Sequence, residues 1–421
     1  MKKLFTICLI FLMLTSQAQV ITTYAGTGVT GFYGDGGPCS MAAFYHAEAI
    51  YFDKSGAMYI ADSQNNRIRK IENDTITTIA GTYDCDYEGD GGSATFAKLC
   101  NPNSLTIDRK GNLYLMQGGG GWTKIRMIDT GGVITTIAGK YPMNGSCTAC
   151  DADSVALNTA SGLSTDSKGN LYFTEIYEGR IRKIDSSGII HTIYTCPFPA
   201  FPYSTYVNKN DELFFFNGGS LKKIDSTGAV IHVAGSGTGY SGDGGPAQYC
   251  KFKYPGIITG DSLGNLYIGD ASNYRLRKID TAGIINTICG TGTDGFSGDG
   301  GDPLLANIGV LSGIQVRPDG QIYISDNNRI RRIGNITTAI SSFDKVSEIQ
   351  VYPNPSSGLM HVNFAEPESK VSVIDVLGRN IFSYINTDAA FDIDLSHCSP
   401  GVYSLNVKGS KKSTVFKLIV Q

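Results

Sequence analysis

The feature that most constrains the fold of this chain is a unit repeated six times. It reads Asp-x-x-Gly-Asn-Leu-Tyr-Ile-x-Asp, then Arg-Ile-Arg-Lys-Ile-Asp, then Gly-x-Ile-x-Thr-Ile-Ala-Gly. Copies start at Asp53, Asp108, Asp166, Asn208, Asp261 and Arg317, and their aromatic position falls on Tyr59, Tyr114, Tyr172, Phe214, Tyr267 and Tyr323. The fourth copy is worn, with Leu221-Lys222-Lys223 in place of the arginine run. A period of roughly 55 residues suits one four-stranded blade plus a variable connection. The runs are short, β-branched or aromatic, and punctuated by Gly, Asn and Asp, which excludes a helical solenoid.

Within each unit, strand A precedes the Asp (Ala49 to Phe52, Ser104 to Ile107, Ile257 to Thr259). A tight turn such as Lys110-Gly111-Asn112 leads into strand B, the Leu-Tyr-Ile segment. Strand C is Arg-Ile-Arg-Lys-Ile, and strand D is Ile-x-Thr-Ile-Ala-Gly. One D-like stretch, Val20 to Gly26, stands ahead of any A strand. It is expected to complete the sixth blade beside Arg329 to Ile333, closing the ring and removing the open edges that invite aggregation. Asn335 to Ile340 competes for that place. Residues 20–340 resemble NHL repeats through these units and through the Gly-Asp-Gly-Gly loops. The resemblance implies a propeller and leaves activity open, since such propellers are mostly binding platforms and in a minority enzymes.

The two ends of the chain carry an address. Lys2 and Lys3, the apolar run Leu4 to Leu14 and Ser16-Gln17-Ala18 read as a signal peptide cleaved after Ala18. No later run is long and apolar enough for a membrane helix. After Ser341 the composition changes to some 75 residues of short strands, which suggests an Ig-like β-sandwich. Tyr352-Pro353-Asn354-Pro355, Asp375-Val376-Leu377-Gly378-Arg379, Ser399-Pro400-Gly401-Val402-Tyr403 and Lys417-Leu418-Ile419-Val420-Gln421 resemble, in order, the C-terminal sorting domain of type IX secretion cargo. The resemblance implies the type IX machinery as a partner, and a location that is secreted or at the outer cell surface of a Gram-negative bacterium. The expected fold class is therefore all-β, a six-bladed β-propeller followed by a small Ig-like β-sandwich. The expected layout is signal peptide 1–18, propeller 19–340, linker 341–348 and sorting domain 349–421.

The candidate binding residues lie on one face, where the D-to-A and B-to-C connections meet. Four D-to-A loops contain Gly-Asp-Gly-Gly and so present Asp35, Asp90, Asp243 and Asp299. These carboxylates would ring the channel mouth and suit a cation or polyol, with calcium the metal favoured by such oxygen ligands and no other cofactor expected. The competing reading is that each Asp binds its own loop's backbone and Gly supplies the bend. Asp62, Asp270 and Asp326 at the B-to-C turns carry the same pair of readings. Trp122, the only tryptophan, follows Gly118 to Gly121 and could stack on a sugar ring or be buried with its polar group satisfied. His46 with Glu48, just ahead of strand A, is the best acid/base candidate.

Other chemistry lacks support. The arginine strands suggest phosphate binding, but with a net charge of −3 and an Asp after most runs they read as solvated or paired between blades, so no nucleic-acid partner is expected. No His-x-x-x-His, Gly-x-Ser-x-Gly or phosphate-loop motif occurs. Of ten cysteines, nine remain after cleavage; Cys85 and Cys100 could close one loop, and Cys147-Thr148-Ala149-Cys150 reads as a loop staple. The sequence thus favours an extracellular binding protein for a protein, glycan or small ligand. A lactonase-like or lyase-like enzyme with a channel-mouth metal is the alternative, on fold analogy.

Overall fold

The computed structural model describes residues 19–119, 122–139, 147–197 and 201–335, and in the tail 350–352, 358–363, 369–375, 379–386, 390–408 and 413–420. The signal peptide, the linker, Gly120, Gly121 and the competing strand beyond Asn335 lie outside the described residues. The chain divides into two compact units, one through Ile336 and one from Thr337.

The first unit contains six antiparallel sheets, in chain order blades 1 to 6. Blade 1 comprises Ala47–Phe52, Met58–Asp62, Arg67–Glu72 and Thr75–Ala80 as strands A to D. Each innermost A strand packs on the next, and that of blade 6, Leu311–Val316, packs on that of blade 1, so the sheets stand around a central channel. Closure is by the N-terminal strand: Gln19–Ala25 pairs antiparallel with Arg329–Asn335, Ile21 opposite Ile333 and Gln19 opposite Asn335. The hydrophobic core is divided among the seams between blades. Tyr114, Met116 and Ile125 of blade 2 meet Leu163, Leu171 and Phe173 of blade 3, and five further buried clusters fill the other seams. The thinnest, between blades 3 and 4, is built on Ile181, Cys196, Leu213 and Phe215.

The repeat motif is explained by its turn. Asp108 Oδ1 accepts from the backbone N–H of Lys110 and Asn112, and its Oδ2 accepts from Asn112 Nδ2 and the Tyr114 hydroxyl. The same set recurs at Asp166 and Asp261. Asp, Asn and Tyr are therefore one hydrogen-bonded lock between strands A and B, and the carboxyls of Asp166 and Asp261 lie below their ordinary range because these bonds outweigh the opposing effect of burial.

The second unit has a three-stranded sheet (Gln350–Tyr352, Leu359–Asn363, Ala390–Asp394) and a four-stranded one (Asn380–Asn386, Ser369–Asp375, Gly401–Lys408, Ser413–Val420). Met360, Val362, Val371, Val373, Ile393 and Leu405 form the buried core of this sandwich. Two of its motifs are turn devices. Asp375 accepts from the backbone N–H and Nε of Arg379, and the Tyr403 hydroxyl donates to the Ser399 carbonyl.

Candidate functional site

The D-to-A connections do more than cross from blade to blade. Residues 26–46 leave blade 6, run along the outer edge of blade 1, turn through the short helix Cys39–Met41 and return to the channel. Along the edge, Gly36 N–H donates to the Ile76 carbonyl and Ile76 N–H to that of Gly37. Equivalent straps cover the D strands of blades 2, 3, 5 and 6. The first glycine of the motif is required by close approach: Gly34 has φ +96°, and a Cβ there would sit 2.7 Å from Ala42 Cα.

The strap brings its Asp to a buried arginine. Arg69, the second arginine of strand C in blade 1, is fully buried and lies 2.7 Å from Asp35 and 3.2 Å from Asp62. Its guanidinium also donates to the carbonyls of Tyr33 and Ala43. Arg277 repeats the clamp with Asp243 at 2.6 Å and Asp270 at 3.3 Å, and Arg331 with Asp299 at 2.7 Å and Asp326 at 3.1 Å. In blade 2 Arg126 holds Asp90 at 2.6 Å, and Gln117 of strand B stands where blade 1 has Asp62. In blade 3 Arg182 takes Glu175 at 3.0 Å and the Cys147 carbonyl. An aromatic from the strap lies beneath both arginines of the strand: Phe32 is 3.9 Å from Arg67 and 4.8 Å from Arg69, and Tyr240 and Phe296 do the same in blades 5 and 6.

These contacts place the predicted residues. Asp35, Asp90, Asp243 and Asp299 lie at the crest of the straps, about one-third to one-half exposed, each bonded to an arginine. Thr287, Tyr240 and Arg277 outweigh burial to hold the Asp243 carboxyl below its ordinary range. Asp62, Asp270 and Asp326 are wholly buried, and burial pushes the Asp62 carboxyl up to about 6 even beside Arg69. Among the described residues no three His, Cys, Asp or Glu side chains gather to hold a metal ion. Arg69, Arg126, Arg182, Arg277 and Arg331, on the C strands of every blade but the fourth, are buried and bound within their own blades, so the reading of these charges as solvated or paired between blades is corrected. The residues missed as a unit are these arginines and the aromatics under them.

His46 is exposed and has φ +58°, and its backbone N–H donates to Asn328 Oδ1 of blade 6. Glu48 lies two residues on in strand A, its carboxyl pushed up to about 7 by burial. Below it the channel holds a cavity of about 270 Å³ lined by strand A residues such as Asn103, Ser104, Thr106, Ser161, Ser164 and Thr205. Much of this polar lining is used between blades: Ser164 bonds Thr205, and Ser104 accepts from Leu163 N–H.

Trp122 is 54% exposed, so the reading of it as a buried side chain is corrected, and it is not isolated. Of the large apolar side chains exposed on the described propeller, all but Ile193, Val230, Ile231 and Leu263 lie in or beside the D-to-A and B-to-C connections. Phe96, Tyr249 and Leu305 end the short helices of three straps at 82%, 67% and 74% exposure.

Comparison with known proteins agrees with this architecture. Residues 350–421 match the secretion system C-terminal sorting domain, and residues 81–153 match the Teneurin NHL domain. The propeller is similar to NHL domains, and the tail matches the sorting domain of a secretion system. It is 27% identical to Teneurin-4 of Homo sapiens over 282 residues, covering 53% of this chain and 10% of that protein. Teneurin-1 of Homo sapiens is 26% identical over 283 residues, with the same coverage. The chain thus spans about a tenth of the length of these curated relatives. Among solved structures, a protein of unknown function and an auxiliary nutrient binding protein, both from Bacteroides thetaiotaomicron, share the propeller fold at TM-scores of 0.58 and 0.57. Their identities are 18% and 17%, and the match covers 76% of each chain. The sorting domain makes this propeller cargo of the type IX machinery, secreted or at the outer surface of a Gram-negative bacterium. No helix among the described residues is long and apolar enough to cross a membrane. The loops of the propeller are pinned by disulfides Cys85–Cys100 and Cys147–Cys150.

Proposed function

We propose that this propeller is an extracellular binding module whose strap face meets a protein or glycan. One observation carries the reading: exposed aromatic and apolar side chains are concentrated in the straps and the B-to-C turns. Such side chains supply contact area at low entropic cost, and a concentration of them on a surface marks an interaction site. The clamp supports the same reading. With each strap Asp tied to a buried arginine, the crest is rigid and its aromatics are presented without an ordering cost on binding.

The test is binding on glycan and extracellular-protein arrays, followed by a variant with Phe96, Trp122, Tyr249 and Tyr254 all replaced by Ser. These side chains are each more than half exposed, so the variant should melt within a few degrees of the parent while losing array binding. Retention of every array signal by the folded variant would place the binding surface elsewhere.

A further inference from the structure

Blade 4 is the exception to the strap rule. Its A strand is reached from blade 3 by residues 196–201 alone, too few to run along an edge, whereas residues 26–46, 81–101, 235–254 and 290–310 precede blades 1, 2, 5 and 6. Among the described residues its D strand Val230–Ala234 therefore pairs on one side only, with Ser220–Ile224. The effect on burial is direct. Ile76, Ile134, Ile190, Ile285 and Ile21 occupy one register position in the five strapped blades, and each is 0% exposed. Val230 holds that position in blade 4 and is 37% exposed, with Ile231 at 40%. These are two of the four exposed large apolar residues that lie off the strap face.

The groups that a strap would satisfy are also unmet. Lys222 stands in register where Arg277 stands in blade 5, and among the described residues it has no carboxylate partner. Asn217 replaces the buried Asp at the end of strand B; it is 7% exposed and its Oδ1 has no hydrogen-bond partner. An edge with open backbone groups, apolar side chains and a cation is a template for strand addition.

We propose that the D edge of blade 4 is a docking site for an extended, glycine-rich acidic segment of a partner protein, added as an outer strand beside Val230–Ala234. The five sister blades show the chemistry of that occupant. Glycines pair with the backbone at the Val230 position, and one carboxylate reaches the strand C cation. In blade 4 that carboxylate would meet Lys222 and the backbone N–H of His232, as Asp35 meets Arg69 and Thr78 N–H in blade 1. This surface is distinct from the strap face, and the inference stands apart from the proposed function.

The experiment uses the full chain and a fluorescent peptide copying its own strap, residues 241–249. Amide hydrogen exchange over residues 229–234 should be fast in the free chain compared with residues 75–80, and slow once the peptide is added. Val230→Pro removes a backbone donor that faces outward, where Ile76 N–H meets its strap; proline is tolerated on such an edge. It should weaken peptide binding about tenfold or more, and an Asp243→Asn peptide should weaken it severalfold. If Val230→Pro does not fold, exchange on the unaltered chain decides. Slow exchange at 229–234 in the free chain, absence of peptide binding at millimolar concentration, or equal binding by a folded Val230→Pro chain would overturn the proposal. So would protection that rises with protein concentration alone, since the occupant would then be a second copy.

Discussion

Replacing Arg69 with Met isolates what the buried clamp contributes. Asp62 and Arg69 are both fully buried, so the substitution strands a carboxylate in a place where water cannot replace the guanidinium. Removing one partner of such a pair costs about 3–5 kcal/mol. Asp62 keeps its bonds from Tyr45 N–H and Asn65 Nδ2, which sets the loss toward the lower end. The deficit should depend on pH. Burial already holds the Asp62 carboxyl at about 6 with Arg69 present, and without the cation it rises further. Because the folded value exceeds the unfolded one, the folded variant takes up a proton that the unfolded chain releases, and it gains about 1.4 kcal/mol for each pH unit lowered inside that window. Urea unfolding at pH 8 and pH 5, followed by circular dichroism and by Trp122 fluorescence, should show a large deficit at pH 8 that shrinks at pH 5. The double variant Arg69→Met, Asp62→Leu should recover most of the stability at pH 8, since a well-packed apolar pair can replace a buried ion pair. A deficit under about 1 kcal/mol at pH 8, or one unchanged by pH, would refute the reasoning.

Gly34→Ala should destabilise the propeller by about 2–4 kcal/mol through positive φ and backbone clash, and Gly36→Ala by only about 1 kcal/mol, since a Cβ at Gly36 meets nothing within 4 Å; paired urea melts separate the two. Glu48→Gln should leave stability unchanged at pH 4 and raise it by about 2–3 kcal/mol at pH 8. Its raised carboxyl value means that the folded state loses stability as pH rises through 7, and Gln does not ionise. Calcium chelation should leave the melting temperature unchanged, because Asp35, Asp90, Asp243 and Asp299 already have arginine partners; a shift of several degrees, with stoichiometric calcium in the purified protein, would show that the straps bind metal.

The repeat made the sheets, their order and the closing strand legible, because each rests on local pattern: Asp-Asn-Tyr locks, alternating strands and turn glycines. The tail was legible for the same reason, through Asp375 to Arg379 and Ser399 to Tyr403. The clamp was harder to see because its partners are remote. Asp35 and Arg69 are 34 residues apart, as are Asp243 and Arg277, while Asp299 and Arg331 are 32 apart. Read singly, a Gly-Asp-Gly-Gly loop looks like a turn and Arg-Ile-Arg like a solvated strand. The available signal was their joint loss from the fourth copy, where neither the loop nor the arginines occur. Glu48 gave no such signal, since its burial depends on neighbouring blades meeting at the channel.

The register that closes the ring has a geometric corollary. Gln19 sits opposite Asn335 at the end of blade 6 away from the B-to-C turns, so the polypeptide enters and leaves the propeller at one place. A force applied at Asn335 would therefore act at the end of blade 6 opposite the B-to-C turns. The clasp also puts the load on a ladder between two strands that belong to opposite ends of the ring, so tension applied there strains the fastening before it strains any single blade.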